Sequence, residues 1–314
     1  MEPGRFNSQE ARLAHHHHHG EEGEGGDLRL TLAVIVNFTL TIAQLVGGIL
    51  AGSLALVADA LHNFSDAISL VIAFGARRIA RRPPDGNMTF GYGRIEMVAA
   101  LINYTTLILI GLYLAYEAVW RFIEPQRVEG WLVVAIAGFA LVVDVATAML
   151  TWSLSKSSAN IRAAFLHNVA DALGSVAVIV AGTLILLYDW RLVDPIATLL
   201  ISGYILWQSA VEIGPVIRVL MLGSPPDIAC GTIIERIGSV GGVAGVHHAH
   251  CWQMDEHRNA LDAHIVIAEG FWGEGDAIKD RIRELLRREF AIAHTTLEIE
   301  CSRHSCANAA VIGH

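Results

Sequence analysis

Three observations predict a membrane all-α domain of six helices followed by a small soluble α/β domain. The 314 residues are 53% hydrophobic and 17% charged, with a mean hydropathy of +0.46, too apolar for an ordinary soluble domain. Six apolar stretches are each long enough to cross a hydrocarbon core of ~30 Å, which takes ~20 helical residues. From about Ser224 the pattern changes to Gly/Pro breaks, charges and short apolar runs, and the length that remains suits one small domain.

The spans fall at about 29–51, 54–76, 95–120, 131–153, 162–188 and 194–220. The rest reads as a helix over 227–239, a strand over 245–253, a turn at 255–259 and a strand over 261–268. A charged amphipathic helix over 275–290 and a strand over 295–300 complete an αββαβ order. The expected domains are therefore a His-containing tail (1–28), a six-helix membrane domain (29–222), the αββαβ domain (223–302) and a short terminal tail (303–314). The chain opens polar, so no cleavable signal is expected and the first span reads as a retained anchor. The run His15 to His19 reads either as a remnant of a purification tag or as a metal-scavenging tail.

Basic residues set the expected orientation. Arg77, Arg78, Arg81, Arg82 and Arg94 lie between spans two and three, and Lys156 and Arg162 between spans four and five. The opposite connections carry Arg121, Arg127 and Arg191. The richer loops are expected on the cytoplasmic side, which puts both termini there as well. A net charge of −9 argues against a nucleic-acid partner. The four cysteines, Cys230, Cys251, Cys301 and Cys306, lie in the predicted cytoplasmic part, so reduced thiols are expected. Cys301, His304 and Cys306 could ligate a soft metal, but their spacing is no known zinc-finger pattern, and a frayed polar terminus is the alternative.

The polar residues inside the spans carry the chemistry. In span two His62 and Asp66 are four residues apart, on one helix face. Span five repeats the pattern with His167 and Asp171, and an Asn follows each His. Ionisable groups at membrane depth are costly and by default mark an ion or substrate path. The alternative, hydrogen bonding between helices as packing glue, gives no reason to repeat both residue types at one interval. Two imidazoles and two carboxylates suit tetrahedral Zn²⁺, with Co²⁺ or Cd²⁺ conceivable, whereas Mg²⁺ and Ca²⁺ prefer all-oxygen shells. Two carboxylates also cancel a dication in low dielectric. The empty site would leave like charges together, which protonation relieves, a physical basis for exchanging metal for protons. The metal is then cargo, and no resident cofactor is expected.

Other polar residues allow two readings each. Asp144 could shape proton access or hydrogen-bond the site, or merely join helices; Asp59 could line an entrance or sit at a helix contact; Asn37 and Asn103 read as packing. His247, His248, His250, His257 and His264 crowd the two-strand unit. Strand alternation is expected to send His248 and His250 to one face and His247 to the other.

His-x-x-x-Asp in spans two and five, the segment TFGYGR at Thr89 to Arg94 and the tail segment HHAHCWQMDEH resemble the cation diffusion facilitator family of metal transporters. The resemblance implies export of divalent metal from the cytoplasm by alternating access, coupled to inward protons, in a homodimer embedded in a bacterial plasma membrane. It implies a transport site of His62, Asp66, His167 and Asp171, zinc-type because the first position is His. It also implies that the αββαβ domain is metallochaperone-like and binds metal near a dimer interface, at positions matching His247, His264, Glu298 and Glu300, with His248 and His250 as further candidate ligands; simple dimerisation without metal is the alternative. Some relatives bind a second metal in the loop after span two; here Asp85 is present but Met88 and Tyr92 replace the histidines, so that loop site is not expected.

Two other classes of function stay open. A membrane sensor would bind zinc and move nothing. An intramembrane metallohydrolase would need an open coordination position, which four symmetric ligands do not leave, and no His-Glu-x-x-His is present, so no enzyme is expected.

Overall fold

The computed structural model describes residues 38–152, 159–255, 258–306 and 309–313. The membrane part contains α1 (described over Phe38–Ala51), α2 (Leu54–Ala80), α3 (Ile95–Ile123), α4 (Gly130–Trp152), α5 (Ala159–Tyr188) and α6 (Val193–Leu220). Among the described residues five helices, α2 to α6, are long and apolar enough to cross a membrane. The expected first span starts outside the described residues, as do His15 to His19 and Asn37.

Gly52, at φ +68°, makes the tight α1–α2 corner that an L side chain would strain. Ser53 then caps α2 by accepting from the Leu56 N–H at 3.1 Å. The helix runs past the expected boundary to Ala80 and takes Arg77 and Arg78 into its last turn. Cations there complement the helix dipole, and the Pro83-Pro84 pair stops further winding. α4 packs chiefly on α5, and α3 on α6. The first of these contacts is close because Gly182 has no side chain: a Cβ there would stand 2.9 Å from Val133 Cγ1.

The outer surface is apolar, with Phe74, Leu109, Phe139, Met149 and Leu187 exposed. Trp120, Trp131, Tyr188 and Trp190 are exposed together at the end of the bundle where α3 and α5 finish and α4 starts. Such a ring suits the boundary between lipid and water.

The second domain has the order expected from the sequence: α7 (Cys230–Gly238), β1 (Val243–Gln253), β2 (Asn259–Ile267), α8 (Gly275–Phe290) and β3 (Ile292–Cys301). β1 pairs antiparallel with β2, and β2 parallel with β3. Spacing explains its core. Ile278, Ile282 and Leu286 form one stripe of α8, Ile233 and Ile237 one stripe of α7, and Leu261, Ile265 and Ile267 one face of β2. All are essentially inaccessible, and each contributes ~1.5–3 kcal/mol of burial.

The terminal tail departs from the frayed end that its composition suggests. Residues 309–313 lie against the outer edge of β1, where His248 N–H donates to the Ala310 carbonyl at 2.9 Å and Ala249 N–H to the Val311 carbonyl at 3.1 Å. Ala309 to Ile312 form an apolar run that covers an otherwise unpaired edge.

The TFGYGR turn joins the two domains. Arg94 donates to the carbonyls of Met254 (3.0 Å) and Gln253 (3.2 Å), its guanidinium lies 5.5 Å from the Trp252 ring centre, and Phe90 meets Trp252 edge-on at 5.8 Å. The α2–α3 turn and the αββαβ domain are thus at one end of the bundle.

Candidate metal centre

The i, i+4 spacing in α2 and the crossing of α5 bring three predicted ligands together. His62 Nε2 stands 3.7 Å from Asp66 Oδ2 and 3.8 Å from Asp171 Oδ1. A tetrahedron with metal–ligand bonds of ~2.0–2.1 Å has edges of about 3.3 Å, so small rotamer shifts would close this set around one ion. The side chains of His62 and Asp171 are each 11% exposed, deep enough for their polarity to need a partner. Tyr204 of α6 meets the His62 ring edge-on at 6.3 Å. His167 lies on α5 one turn before Asp171, but its side chain is outside the described residues.

A cavity of about 140 Å³ adjoins His62 and Asp66, lined also by Ser69, Asn103, Tyr104 and Gln208. Ser69 lies near the middle of α2, Asn103 and Tyr104 in the first half of α3, and Gln208 in the second half of α6. Asn103 accepts from Ser65 Oγ at 3.2 Å, a contact between α3 and α2 of the expected packing kind, and also borders this space.

The other buried carboxylates of the bundle are hydrogen-bonded to neighbouring helices. Asp59, 4% exposed, accepts from Gln44 Nε2 at 2.8 Å and faces the bare Gly174 of α5, a helix contact. Asp144 accepts from Ser175 Oγ at 3.0 Å, which joins α4 to α5. Further along, Asp194 accepts from Ser53 Oγ (2.5 Å), Leu54 N–H (2.9 Å) and Ala55 N–H (3.3 Å), with Arg121 Nη1 at 3.4 Å. Sequence reasoning missed Gln44, Arg121, Asp194, Tyr204 and Gln208. A carboxylate opening an apolar span was the available signal for Asp194, but nothing local indicates a partner 141 residues back.

The histidines of the second domain do not follow simple alternation. β1 bulges between His247, which pairs with His264, and His250, which pairs with Asp262. His248 is the extra residue, with φ +47°. The bulge puts His247 and His250 on the same face, turned from the helices, and folds His248 in beside His247. The rings of His247, His248 and His264 lie 4.9–5.2 Å apart, centre to centre. His250 belongs to a different cavity, with Trp252 and Asp262, and His257 is outside the described residues.

Glu300 reaches His264 Nδ1 at 2.7 Å and His247 Nε2 at 3.2 Å, while Glu298 reaches His264 Nε2 at 3.3 Å. Burial opposes ionisation of Glu300, yet hydrogen bonds from His264 and from the Cys306 N–H hold it below the usual glutamate range.

In the loop after α2, Asp85 accepts from the N–H groups of Asn87 and Met88 and from Tyr92 Oη at 2.6 Å. Its carboxylate, held low first by Tyr92, is occupied in shaping the turn.

Two family patterns match the chain: the cation efflux transmembrane domain over residues 30–221 and the cytoplasmic domain of cation efflux proteins over 225–302. The chain belongs to the cation efflux family. Among curated relatives in this family, the zinc transporter ZitB of Pectobacterium atrosepticum is 37% identical, covering 93% of this chain and 90% of its own. The cadmium, cobalt and zinc/H(+)-K(+) antiporter of Bacillus subtilis is 36% identical over 91% and 93%, respectively. The metal cation efflux system protein CzcD of Cupriavidus metallidurans is 32% identical over 91% and 90%. A solved metal-bound C-terminal domain of the CzcD transporter matches 23% of this chain and 99% of its own at 20% identity, with a TM-score of 0.22.

Proposed function

We propose that this cation efflux protein exports Zn²⁺ from the cytoplasm in exchange for protons, through a site made by His62, Asp66, His167 and Asp171. The observation that carries this reading is the convergence of His62, Asp66 and Asp171 from two apolar helices, beside a cavity with polar walls. A nitrogen and oxygen set of this kind suits Zn²⁺ and tolerates Co²⁺ or Cd²⁺, and the names of the relatives include all three metals. Residues 29–222 would form the transport domain, in a lipid bilayer with both termini cytoplasmic, and residues 223–302 the domain through which two copies pair.

The chain's own residues account for the exchange. Asp66 and Asp171 neutralise the bound dication, so the loaded site crosses low dielectric without net charge. When the ion leaves on the far side, two carboxylates face each other, with Asp59 and Asp144 buried nearby. Proton uptake at the site relieves that repulsion and resets it. Four ligands leave no position for an activated water, which favours carriage over hydrolysis.

Zinc uptake into proteoliposomes containing the full-length protein, with and without a pH gradient, tests the reading. Gradient-stimulated uptake that Asp171→Ala abolishes is expected. Zinc that binds without ever accumulating would sink it and leave a membrane sensor.

A further inference from the structure

We infer that the end of α2 nearest the αββαβ domain binds an anionic phospholipid, with Arg77, Arg78, Arg81 and Arg82 on its phosphate and Val71 and Phe74 against its acyl chain. The inference needs only that α2 crosses the bilayer. It stands whatever the membrane site carries.

Two landmarks place these arginines at headgroup depth. α2 begins at the end of the bundle that carries the exposed Trp120, Trp131, Tyr188 and Trp190, because Asp194 joins the Leu54 N–H to Arg121 there. Aromatic residues of this kind sit at the boundary between lipid and water. A hydrocarbon core of ~30 Å takes ~20 helical residues, so counting from Leu54 the core ends near Phe74. The helix runs on to Ala80, and its last turn carries Arg77 and Arg78 out among the headgroups, with Arg81 and Arg82 directly after them.

One face of the helix presents both chemistries. With 3.6 residues per turn, Val71, Phe74 and Arg78 fall within about 60° of one another, and Arg81 continues the line. Val71 is 69% and Phe74 74% exposed, so this stripe is left uncovered among the described residues. Gly75 lies beside it, and a Cβ added there would meet nothing within 4 Å, which leaves open space next to the Phe74 ring. An apolar stripe that runs straight into a cationic patch fits an amphiphile. A soluble phosphate or an acidic protein segment would use only half of it.

The charge of the patch is not cancelled from within the fold. Arg77 reaches Glu96 only at 4.0 Å and is 71% exposed. Among the described residues Arg78, Arg81 and Arg82 form no ion pair. Asp85, the other carboxylate of the turn, is committed to Tyr92 and to the N–H groups of Asn87 and Met88. Guanidinium forks match phosphate oxygens, and each basic residue near an anionic bilayer surface is worth roughly fivefold in affinity. A lipid held here fixes the depth of the helix that carries His62 and Asp66.

Native mass spectrometry of the full-length protein in detergent, titrated with dioleoylphosphatidylglycerol or dioleoylphosphatidylcholine, tests this. The anionic lipid is expected to bind roughly tenfold more tightly. Arg78→Gln, Arg81→Gln and Arg82→Gln together should erase that preference, and Phe74→Ala should weaken phosphatidylglycerol binding roughly threefold with the arginines intact. Removing the same charge from the exposed side of α8, by Arg283→Gln, Arg287→Gln and Arg288→Gln, should leave the preference as it was. Equal binding of the two lipids, an undiminished preference in the α2 variant, an unaltered affinity in Phe74→Ala or an equal loss in the α8 variant would each overturn the site. Displacement of the lipid by millimolar glycerol phosphate would overturn it too, by marking a site for a soluble anion. A measurement that needs no variant runs beside these: phenylglyoxal should modify Arg78 and Arg81 about tenfold more slowly in phosphatidylglycerol nanodiscs than in phosphatidylcholine ones, with Arg283 unaffected. Equal rates at Arg78 and Arg81 in the two lipids would count against the proposal.

Discussion

Replacing Asp194 by alanine should cost the membrane domain about 4 kcal/mol, although the residue is not one of the proposed metal ligands. The side chain is 1% exposed and serves three helices at once. It accepts from the first two N–H groups of α2, at Leu54 and Ala55, and from Ser53 Oγ, while Arg121 of α3 stands 3.4 Å away. Losing a cap on two helix N–H groups costs ~1 kcal/mol each. Stranding the partly buried arginine adds ~1–2 kcal/mol, less than the ~3–5 kcal/mol of a fully stranded ion. Arg121 escapes the larger figure because it keeps the Gly52 carbonyl at 2.6 Å and Glu117 at 3.5 Å. The Ser53 hydroxyl loses a charged acceptor, worth another ~1 kcal/mol. At ~2 °C per kcal/mol for a large domain, Asp194→Ala should unfold about 8 °C lower in detergent, followed by tryptophan fluorescence. Arg191→Ala, which breaks the exposed ion pair with Asp189 on the same connection, should leave the midpoint where it was. Equal midpoints for the two variants would refute the idea that Asp194 pins α2, α3 and α6 together.

Three other expectations follow from the geometry. His62→Asp should raise transport of iron(II) and cadmium relative to zinc in proteoliposomes, because a carboxylate in place of imidazole favours oxygen-seeking and larger ions; unchanged relative rates would contradict the assignment of His62. Arg94→Ala removes two carbonyl hydrogen bonds and the contact with Trp252, so amide exchange at Gln253 to Asp255 should quicken about tenfold, and unaltered exchange would mean the turn does not hold the domain. Glu289 is held at about 2, below its ordinary 4.5, first by Arg236. A depressed carboxylate contributes stability that is whole above pH 4.5 and fades as pH falls toward about 2. Pepsin resistance of the cytoplasmic domain should therefore drop over that window, and less steeply in Glu289→Gln; matching profiles would remove the Arg236–Glu289 link from the account.

Local pattern was enough for the spanning helices α2 to α6, for the αββαβ order and for placing His62 and Asp66 on one helix face. A stretch of apolar residues must become a spanning helix because no other structure satisfies its backbone in lipid, and His62 and Asp66 share a face because four residues make about one turn. Ile278, Ile282 and Leu286 declared the inner stripe of α8 in the same way. Tertiary structure alone decided the rest. No turn residue marks the bulge at His248, so alternation sent His247 to the wrong face until β1 and β2 met in register. Asp194 finds Ser53, and Cys306 finds His264, across stretches of chain that carry no shared period. Periodicity records which face of an element is apolar, a property of neighbours in sequence. Partners, register and the closing of a site depend on which surfaces come together, and that is a property of the whole sum of contacts.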